Sequence, residues 1–249
     1  MENKEYNYID CHCHYDELST VYLKDVFSKN PIKSLTCSVD INSYNRLEEI
    51  RKENIPNLYF AYGLYPDVIF KKSIKEYLED LNRMDFSKAI AIGEIGLDYK
   101  ITKDKTKREE QKRLLEKQLE IAKEFKKPVI LHTRYATKPT LEIIKSWTDL
   151  KIILHWFNGT EKEIQEALDR GYYLTQRFGR PEIPNIKDHL DNIFIETDYP
   201  VPYNGKEIQP LAIKESYTVF CEKYQLDLEK IKERMENNFT NLLKSIPRF

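Results

Sequence analysis

Cysteine, glycine and net charge are all scarce in this sequence. Its 249 residues include only four cysteines and seven glycines, and the formal net charge is −1. Four cysteines are too few for a disulfide framework in a chain of this size, so we expect a reducing compartment, the cytoplasm. So few glycines exclude a linker-rich chain. The near-zero charge excludes a strongly basic protein that binds nucleic acid through its overall field.

Long apolar runs are also missing. The first ten residues, MENKEYNYID, do not resemble a signal peptide, and no run of about 18 apolar residues could cross a membrane. Hydrophobic residues make up 41% and charged residues 33% of the chain, which is typical of a globular protein with a charged surface. The sequence therefore predicts a single domain over residues 1–249 without a membrane segment, and a monomer is the simplest expectation.

Eight short apolar segments recur along the chain, and stretches long enough for a helix follow most of them. The segments are rich in Val, Ile, Leu, Phe and Tyr, as buried parallel strands are. They span residues 8–14, 34–39, 58–63, 89–94, 128–132, 151–156, 172–176 and 193–198. Eight alternating strand and helix units predict an α/β fold of the (β/α)8 type, the TIM barrel.

Three helices are predicted most clearly. Residues 105–125 place leucines on one side and charged residues on the others. Two more helices end the chain, at about 210–224 and 228–245, and Asp227 is a plausible N-cap of the second. Residues 177–189 lack a strong apolar stripe, so we expect the helix after the seventh strand to be short or absent.

Histidine is rare, and four of the five histidines lie at the carboxyl end of a predicted strand. His12 and His14 lie on the first strand, His132 on the fifth and His155 on the sixth. Because the strand ends of a barrel meet at one mouth, where active sites of this fold are found, we expect these imidazoles to converge. The fifth, His189, lies in the polar stretch NIKDHLDN and is expected to be a surface residue.

Two carboxylates occupy equivalent positions, because Glu94 ends the fourth predicted strand and Asp198 ends the eighth. A cavity with two carboxylates and four imidazoles would cost much desolvation energy, and bound metal would offset that cost. We therefore expect these six residues to form a metal site. Side chains alternate along a strand, so Cys11 and Cys13 point away from the histidines and serve as packing groups.

Five short motifs, taken together, point to a known family. In chain order they are IDCHCHYD, AIGEIGLDY, PVILHTRYA, ILHWFNGT and IETDYP. Gln111, Gln118 and Asn238 add to them at matching spacings. The ordered set resembles the TatD-type metal-dependent deoxyribonucleases over nearly the whole chain.

The resemblance implies a site with two divalent ions, which are Zn²⁺, Mg²⁺ or Mn²⁺ in that family. By matching position, one ion would be held by His12, His14 and Asp198, the other by His132 and His155, and the bridge would be Glu94. The implied activity is hydrolysis of DNA phosphodiesters, often from a 3′ end, so single strands and 3′ ends are the expected substrates. Asp198 and Glu94 are then the candidate catalytic residues, and Asp198 could also accept a proton from water.

One position departs from the family pattern. The family commonly has Gly-x-His-Pro on the third strand, whereas this chain has GLYP with Tyr65 in the place of the histidine. A phenol is a poor acid or base near neutral pH, so the rate or the substrate range is expected to differ. The stretch after Asp198 also looks short. With HWFNGT, this shortness is similar to a short TatD-like branch found with bacterial phage-defence gene sets.

Tyr65 and four further residues near the predicted mouth are candidate substrate contacts. Arg134 could hold a phosphate oxygen or form a salt bridge with an acid. Tyr99 and Trp156 could stack on bases or pack under loops. Asn158 could bond to a phosphate or to a loop carbonyl.

Three other functions are compatible with the same barrel. Amidohydrolases of this type often carry a carboxylated lysine on the fourth strand, and Glu94 at that place disfavours them. Deacylation of D-aminoacyl-tRNA would use the same fold and the same ligands. A weakly active or inactive subunit of a defence complex or another complex would have no need of a complete ligand set. The near-zero net charge also allows a protein partner that positions the DNA.

Overall fold

The computed structural model of the chain describes residues 6–246, which form a barrel of eight parallel strands in the order β1 to β8. Each strand pairs with the next in a parallel register. The strands are Tyr8–Cys13 (β1), Ile32–Cys37 (β2), Leu58–Tyr62 (β3), Ala91–Gly96 (β4), Val129–His132 (β5), Ile152–Leu154 (β6), Tyr173–Arg177 (β7) and Ile193–Glu196 (β8). The predicted TIM barrel is confirmed.

The chain just past β8 is hydrogen-bonded to the carboxyl end of β1, which brings the two ends of the sheet together. The backbone N–H of Asp198 donates to the carbonyl of His12 at 3.0 Å, and the N–H of His14 donates to the carbonyl of Tyr199 at 2.7 Å. Three residues of the predicted metal site are therefore held next to one another by backbone bonds alone.

Nine α-helices lie between and after the strands within residues 6–246. They are Thr20–Lys29 (α1), Ile41–Lys52 (α2), Val68–Lys71 (α3), Ile74–Arg83 (α4), Lys105–Phe125 (α5), Thr137–Ile144 (α6), Glu161–Asp169 (α7), Ala212–Tyr224 (α8) and Leu228–Lys244 (α9). The chain between β7 and β8 contains only the 3₁₀ turns Ile186–Asp188 and Leu190–Asn192, as its weak apolar pattern predicted. His189 lies between these two turns.

Helix α5 has the predicted bounds, and capping features define both of its ends. The side chain of Asp104 accepts hydrogen bonds from two N–H groups of the first turn, a cap that is worth about 1 kcal/mol. At the other end, Lys126 adopts a left-handed conformation with φ 52°. Asp227 caps α9 in the same way as Asp104, which confirms its prediction.

The four cysteines are free and buried, and for Cys11 and Cys13 burial is what packing groups are expected to show. Among the described residues, no helix combines the length and the apolar character needed to span a membrane.

Candidate metal centre

The structure brings the six predicted ligands together at the carboxyl ends of the strands. His132 is the last residue of β5, and His14 and His155 directly follow β1 and β6. His12 lies inside β1, and Asp198 lies two residues past the end of β8.

Glu94 was expected to end β4, but the strand continues for two more residues to Gly96. The continuation depends on Gly96, because a Cβ atom at this position would lie 2.1 Å from the carbonyl oxygen of His132. Its φ of 142° is also outside the range that other residues adopt readily. Glycine thus lets β4 approach β5 closely beside the cluster.

The two carboxylate oxygens of Glu94 face different pairs of histidines. Oε2 lies 3.3 Å from Nε2 of His14 and 3.6 Å from Nε2 of His12. Oε1 lies 2.9 Å from Nδ1 of His132 and 3.9 Å from Nε2 of His155. The carboxylate is buried between the two pairs.

Asp198 completes the cluster. Its Oδ1 lies 3.6 Å from Nε2 of His12 and 3.8 Å from Nε2 of His14, and its Oδ2 lies 4.0 Å from Nε2 of His155. The residue has φ 52°, in the left-handed region. Residues other than glycine rarely adopt this backbone conformation, and those that do occur preferentially at functional sites.

Several of these separations fit metal ligands better than hydrogen bonds. The Nε2 atoms of His12 and His14 lie 3.3–3.8 Å from the oxygens of Glu94 and Asp198, beyond the usual hydrogen-bond range of about 2.7–3.2 Å. Two atoms each about 2.1 Å from one ion are this far apart when the angle between them is roughly 105–130°. The buried Nε2 of His12 has no hydrogen-bond partner, which also fits a metal ligand.

Three overlapping groups of side chains in the cluster could hold a metal ion. They are His12, His155 and Asp198; His12, His14 and Glu94; and Glu94, His132 and His155. Within each group the ligand atoms lie within 4.8 Å of one another. Imidazole and carboxylate donors together suit Zn²⁺, Mg²⁺ or Mn²⁺.

The charges of the cluster attract cations. Burial lowers the pKa of His12 well below its usual value, so this imidazole stays neutral and can donate a lone pair. Burial also opposes protonation of His14, but Glu94 outweighs it and raises the pKa of His14 to about 9. Burial opposes protonation of His155 as well, but the charges of Glu196 and Asp198 outweigh it and raise the pKa of His155 to about 10. The site therefore takes up positive charge as protons or as metal ions that replace them.

Hydrogen bonds from outside the cluster orient three of the imidazoles. Nδ1 of His14 lies 3.0 Å from the carbonyl oxygen of Cys37, and Nδ1 of His12 lies 3.3 Å from the sulfur of the same residue. Nδ1 of His155 lies 3.0 Å from the buried carboxylate of Glu196. In each ring the outer nitrogen is engaged, so Nε2 points toward the other ligands.

Glu196 and Cys37 were missed by the sequence analysis. Glu196 precedes Asp198 by two residues, so strand alternation could have indicated that both side chains face the same side. Cys37 carries no comparable signal, because its contacts come from another strand.

His132 is oriented by Tyr65 and Asp98. The phenol of Tyr65 donates to Oδ2 of Asp98 at 2.8 Å, and its oxygen lies 3.0 Å from Nε2 of His132. Because an ionised carboxylate can only accept hydrogen bonds, the phenol proton points to Asp98 and the phenol oxygen accepts from Nε2–H of His132. Nδ1, the other ring nitrogen of His132, faces Oε1 of Glu94 at 2.9 Å.

Arg134 forms a salt bridge with Asp98. Its Nε lies 2.9 Å from Oδ2 of Asp98, and its Nη2 contacts the same oxygen. Strand β5 ends at His132, so Arg134 lies in the loop that follows the strand. Burial would raise the pKa of Asp98, but the hydrogen bonds from His132, Arg134 and Tyr65 outweigh it and lower the pKa.

Two buried glutamines of α5 fix the loops that carry this network. Gln118 accepts from the backbone N–H of Leu64 at 2.7 Å and donates to its carbonyl at 3.1 Å. Gln111 accepts from the N–H of Asp98 at 3.0 Å and donates to its carbonyl at 3.1 Å. Leu64 precedes Tyr65, so each glutamine positions one end of the Tyr65–Asp98 hydrogen bond.

A cavity of about 470 Å³ opens beside His132 and His155. Its other lining residues are Thr133, Arg134, Tyr135, Thr137, Trp156 and Asn158. Trp156 is 42% exposed, so its ring is accessible. Tyr99, also predicted to contact substrate, instead packs against the core, and the guanidinium of Arg108 lies 4.4 Å from its ring centre.

A barrel whose mouth joins four imidazoles and two buried carboxylates defines a class of protein, the metal-dependent hydrolases. Within that class, the chain belongs to the TatD family. The family model described as TatD related DNase matches residues 9–244.

Several known proteins are similar to this chain over most of its length. YcfH of Escherichia coli K12, described as an uncharacterized metal-dependent hydrolase, is 29% identical over 258 residues and aligns over 94% of both proteins. The human 3′-5′ RNA nuclease TATDN2 is 30% identical over 223 residues, which cover 79% of this chain and 29% of TATDN2. The crystal structure of YjjV, a TatD homologue of E. coli K12, has a TM-score of 0.76 and 26% identity, covering 94% of this chain and 96% of YjjV.

Proposed function

We propose that this chain is a nuclease that hydrolyses phosphodiester bonds of DNA with two divalent metal ions. The observation that carries the proposal is the position of Glu94, whose two oxygens face two separate pairs of histidines. A carboxylate placed in this way can bridge two ions. One ion would be held by His12, His14 and Asp198, and the other by His132 and His155.

The substrate class is supported by the relatives and by the cavity. The family model is that of a DNase, and TATDN2 is a nuclease that acts on RNA. The cavity beside the cluster has the volume of a small-molecule site, so it suits the end of a single strand better than an intact duplex. Arg134 and Asn158 line it with groups that can bind phosphate, and Trp156 offers a ring on which a base can stack.

Divalent ions, when bound, supply a Lewis acid that polarises a phosphoryl oxygen and makes water more acidic. The chain's own residues provide the remaining chemistry. Asp198 is the candidate acceptor of the proton that water loses, because its carboxylate lies inside the cluster beside His12, His14 and His155. Tyr65 and Asp98 fix the ring of His132, and Glu196 fixes the ring of His155.

Wild-type protein loaded with Mg²⁺, Mn²⁺ or Zn²⁺ should release nucleotides from single-stranded DNA, and His132→Ala should not. His189→Ala is the matched control, because this histidine lies between two 3₁₀ turns and outside the cluster. Double-stranded DNA and RNA of the same sequence define the preferred substrate, and end-labelling defines the direction of cleavage.

Two results would contradict the proposal. Full activity of His132→Ala would place the reaction elsewhere. If the wild type releases amino acid from D-aminoacyl-tRNA but cuts no nucleic acid, the cluster catalyses deacylation and not phosphodiester hydrolysis.

A further inference from the structure

A second cavity, of about 520 Å³, adjoins the first across the side chain of Trp156. We call it the basic pocket. Its lining residues are Trp156, Asn158, Arg177, Arg180, Pro181, Glu182, Tyr203 and Lys223. Trp156 and Asn158 line both cavities. A ligand longer than one nucleotide can therefore extend from the metal cluster into the basic pocket.

Arg177 places a buried positive charge at the wall of the basic pocket. The residue is 1% exposed at the end of β7. Its guanidinium donates to the backbone carbonyls of Thr197 and Val201. Among residues 6–246, Arg177 forms no ion pair, so no carboxylate oxygen lies within 4.0 Å of its guanidinium nitrogens. A buried cation without a counter-charge is costly, and an anion in the pocket would offset that cost.

Two exposed cations extend this charge toward solvent. Arg180 forms no ion pair with any carboxylate in the described part of the chain. Nζ of Lys223 donates to the carbonyl of Gly179 at 2.9 Å and lies 3.4 Å from Oε1 of Glu182. The lining thus carries three cations and one acid, so the pocket is positive although the chain as a whole has a net charge of −1.

Aromatic rings lie beside the cations. The guanidinium carbon of Arg177 is 5.1 Å from the ring centre of Trp156 and 5.7 Å from that of Tyr203. The ring of Tyr203 stacks on Phe178 with centres 4.0 Å apart and planes 18° apart. This stacking holds Tyr203 in a fixed orientation at the pocket wall. Basic and aromatic side chains side by side are the combination that binds single-stranded nucleic acid.

We propose that the basic pocket binds the nucleotide next to the cleaved bond, with its phosphate on Arg177, Arg180 and Lys223 and its base against Trp156 or Tyr203. The proposal rests on the nuclease function proposed above and adds a specificity to it. A strand with a second phosphate binds more tightly than a phosphodiester that has only one. The enzyme is therefore selective for oligonucleotides over isolated phosphodiesters.

The test uses Arg180→Gln, Lys223→Gln and the double variant, because both side chains lie outside the hydrophobic core. Metal-loaded enzyme is given single-stranded oligothymidylate and, separately, bis(p-nitrophenyl) phosphate, which has only one phosphate. The double variant is expected to raise KM for the oligonucleotide roughly tenfold with kcat retained. Loss of the contact with this phosphate should also make the slope of log kcat/KM against log salt concentration shallower by up to about 0.7.

Two further variants test the opposite change of charge in the pocket and a change of charge outside it. Glu182→Gln removes the one acid of the pocket and is expected to lower KM for the oligonucleotide, a change of opposite sign. Lys117→Gln removes one exposed cation from the outer face of α5 and should leave KM and the salt slope unchanged.

The outcomes separate this proposal from the one on which it rests. If the wild type cleaves the oligonucleotide and the double variant has an unchanged KM and salt slope, the basic pocket does not bind the strand. If the wild type cleaves bis(p-nitrophenyl) phosphate but no nucleic acid, the nuclease function itself is overturned. A raised KM for bis(p-nitrophenyl) phosphate in the double variant would also overturn the inference, because the pocket would then act on the metal cluster and not on the strand.

Discussion

The phenol of Tyr65 donates a hydrogen bond to the carboxylate of Asp98, 2.8 Å away. The same phenol oxygen lies 3.0 Å from Nε2 of His132, so one hydroxyl group joins an acid to a proposed metal ligand. Tyr65 stands where the family commonly has histidine, and its geometry is that of a group that orients a ligand. Such orientation does not require the phenol to gain or lose a proton.

Tyr65→Phe should therefore weaken metal binding and leave the fold unchanged. Loss of a partner that orients a metal ligand typically costs about 10- to 100-fold in metal affinity or activity. Calorimetric titration with Zn²⁺ or Mn²⁺ would measure the change. Tyr135→Phe is the control, because Tyr135 is 77% exposed on the wall of the same cavity. Equal metal affinity in wild type and Tyr65→Phe would show that the phenol does not orient His132.

Gln118→Ala should destabilise the protein. It removes both partners of the backbone groups of Leu64, and each buried group left without a hydrogen bond costs about 1–3 kcal/mol. We expect a loss of about 2–4 kcal/mol in the free energy of unfolding, measured by urea denaturation. Gln165→Ala, on the exposed face of α7, should change it by less than about 0.5 kcal/mol. Similar values for the two variants would refute the role given to Gln118.

Gly96→Ala should disturb the metal cluster through a steric clash with the backbone of His132. The new Cβ would meet the carbonyl oxygen of His132 at 2.1 Å, so β4 and β5 must separate. Gly205→Ala is a matched control, because Gly205 also has a positive φ but no atom lies within 4 Å of the added Cβ. We expect Gly205→Ala to cost about 1–2 kcal/mol, the backbone penalty alone, and Gly96→Ala to cost clearly more. Thermal unfolding would compare the two, and equal losses would count against the clash.

Glu236 should make stability depend on pH in the acid range. Burial would raise its pKa, but hydrogen bonds from Lys33 and Asn7 outweigh burial and lower it. A lowered pKa in the folded state means that the stabilisation is complete above the ordinary value of about 4.3 and is lost as the pH falls through the folded value. At pH 7, Glu236→Gln should therefore cost about 1–2 kcal/mol. The difference from wild type should shrink below about pH 4 in urea unfolding measured at several pH values, and a constant difference would contradict this assignment.

Much of the fold could be predicted because its signals are local. Apolar segments marked all eight strands, and Asp227 marked the start of α9. The cluster could be predicted because a barrel brings its strand ends to one mouth, so residues far apart in the sequence were expected to meet there.

Apart from Glu196, the partners of the ligands could not be predicted, because tertiary contacts alone define them. Asp98 lies within a recognised motif, yet its role depends on Tyr65, His132 and Arg134 from other segments. Arg177 was missed for a simpler reason: the predicted seventh strand stopped one residue before it. The salt bridge of Arg134 could be identified only from the position of Asp98.

Glu94 is proposed to join two metal ions held by the six residues of the cluster. Metal content, measured by plasma mass spectrometry on protein equilibrated with Mn²⁺ or Zn²⁺, shows whether two ions are bound. We predict two ions per chain for the wild type and for His189→Ala, and one or none for Glu94→Gln. A wild type with at most one ion, or a Glu94→Gln variant that keeps two, would contradict the bridged two-metal site.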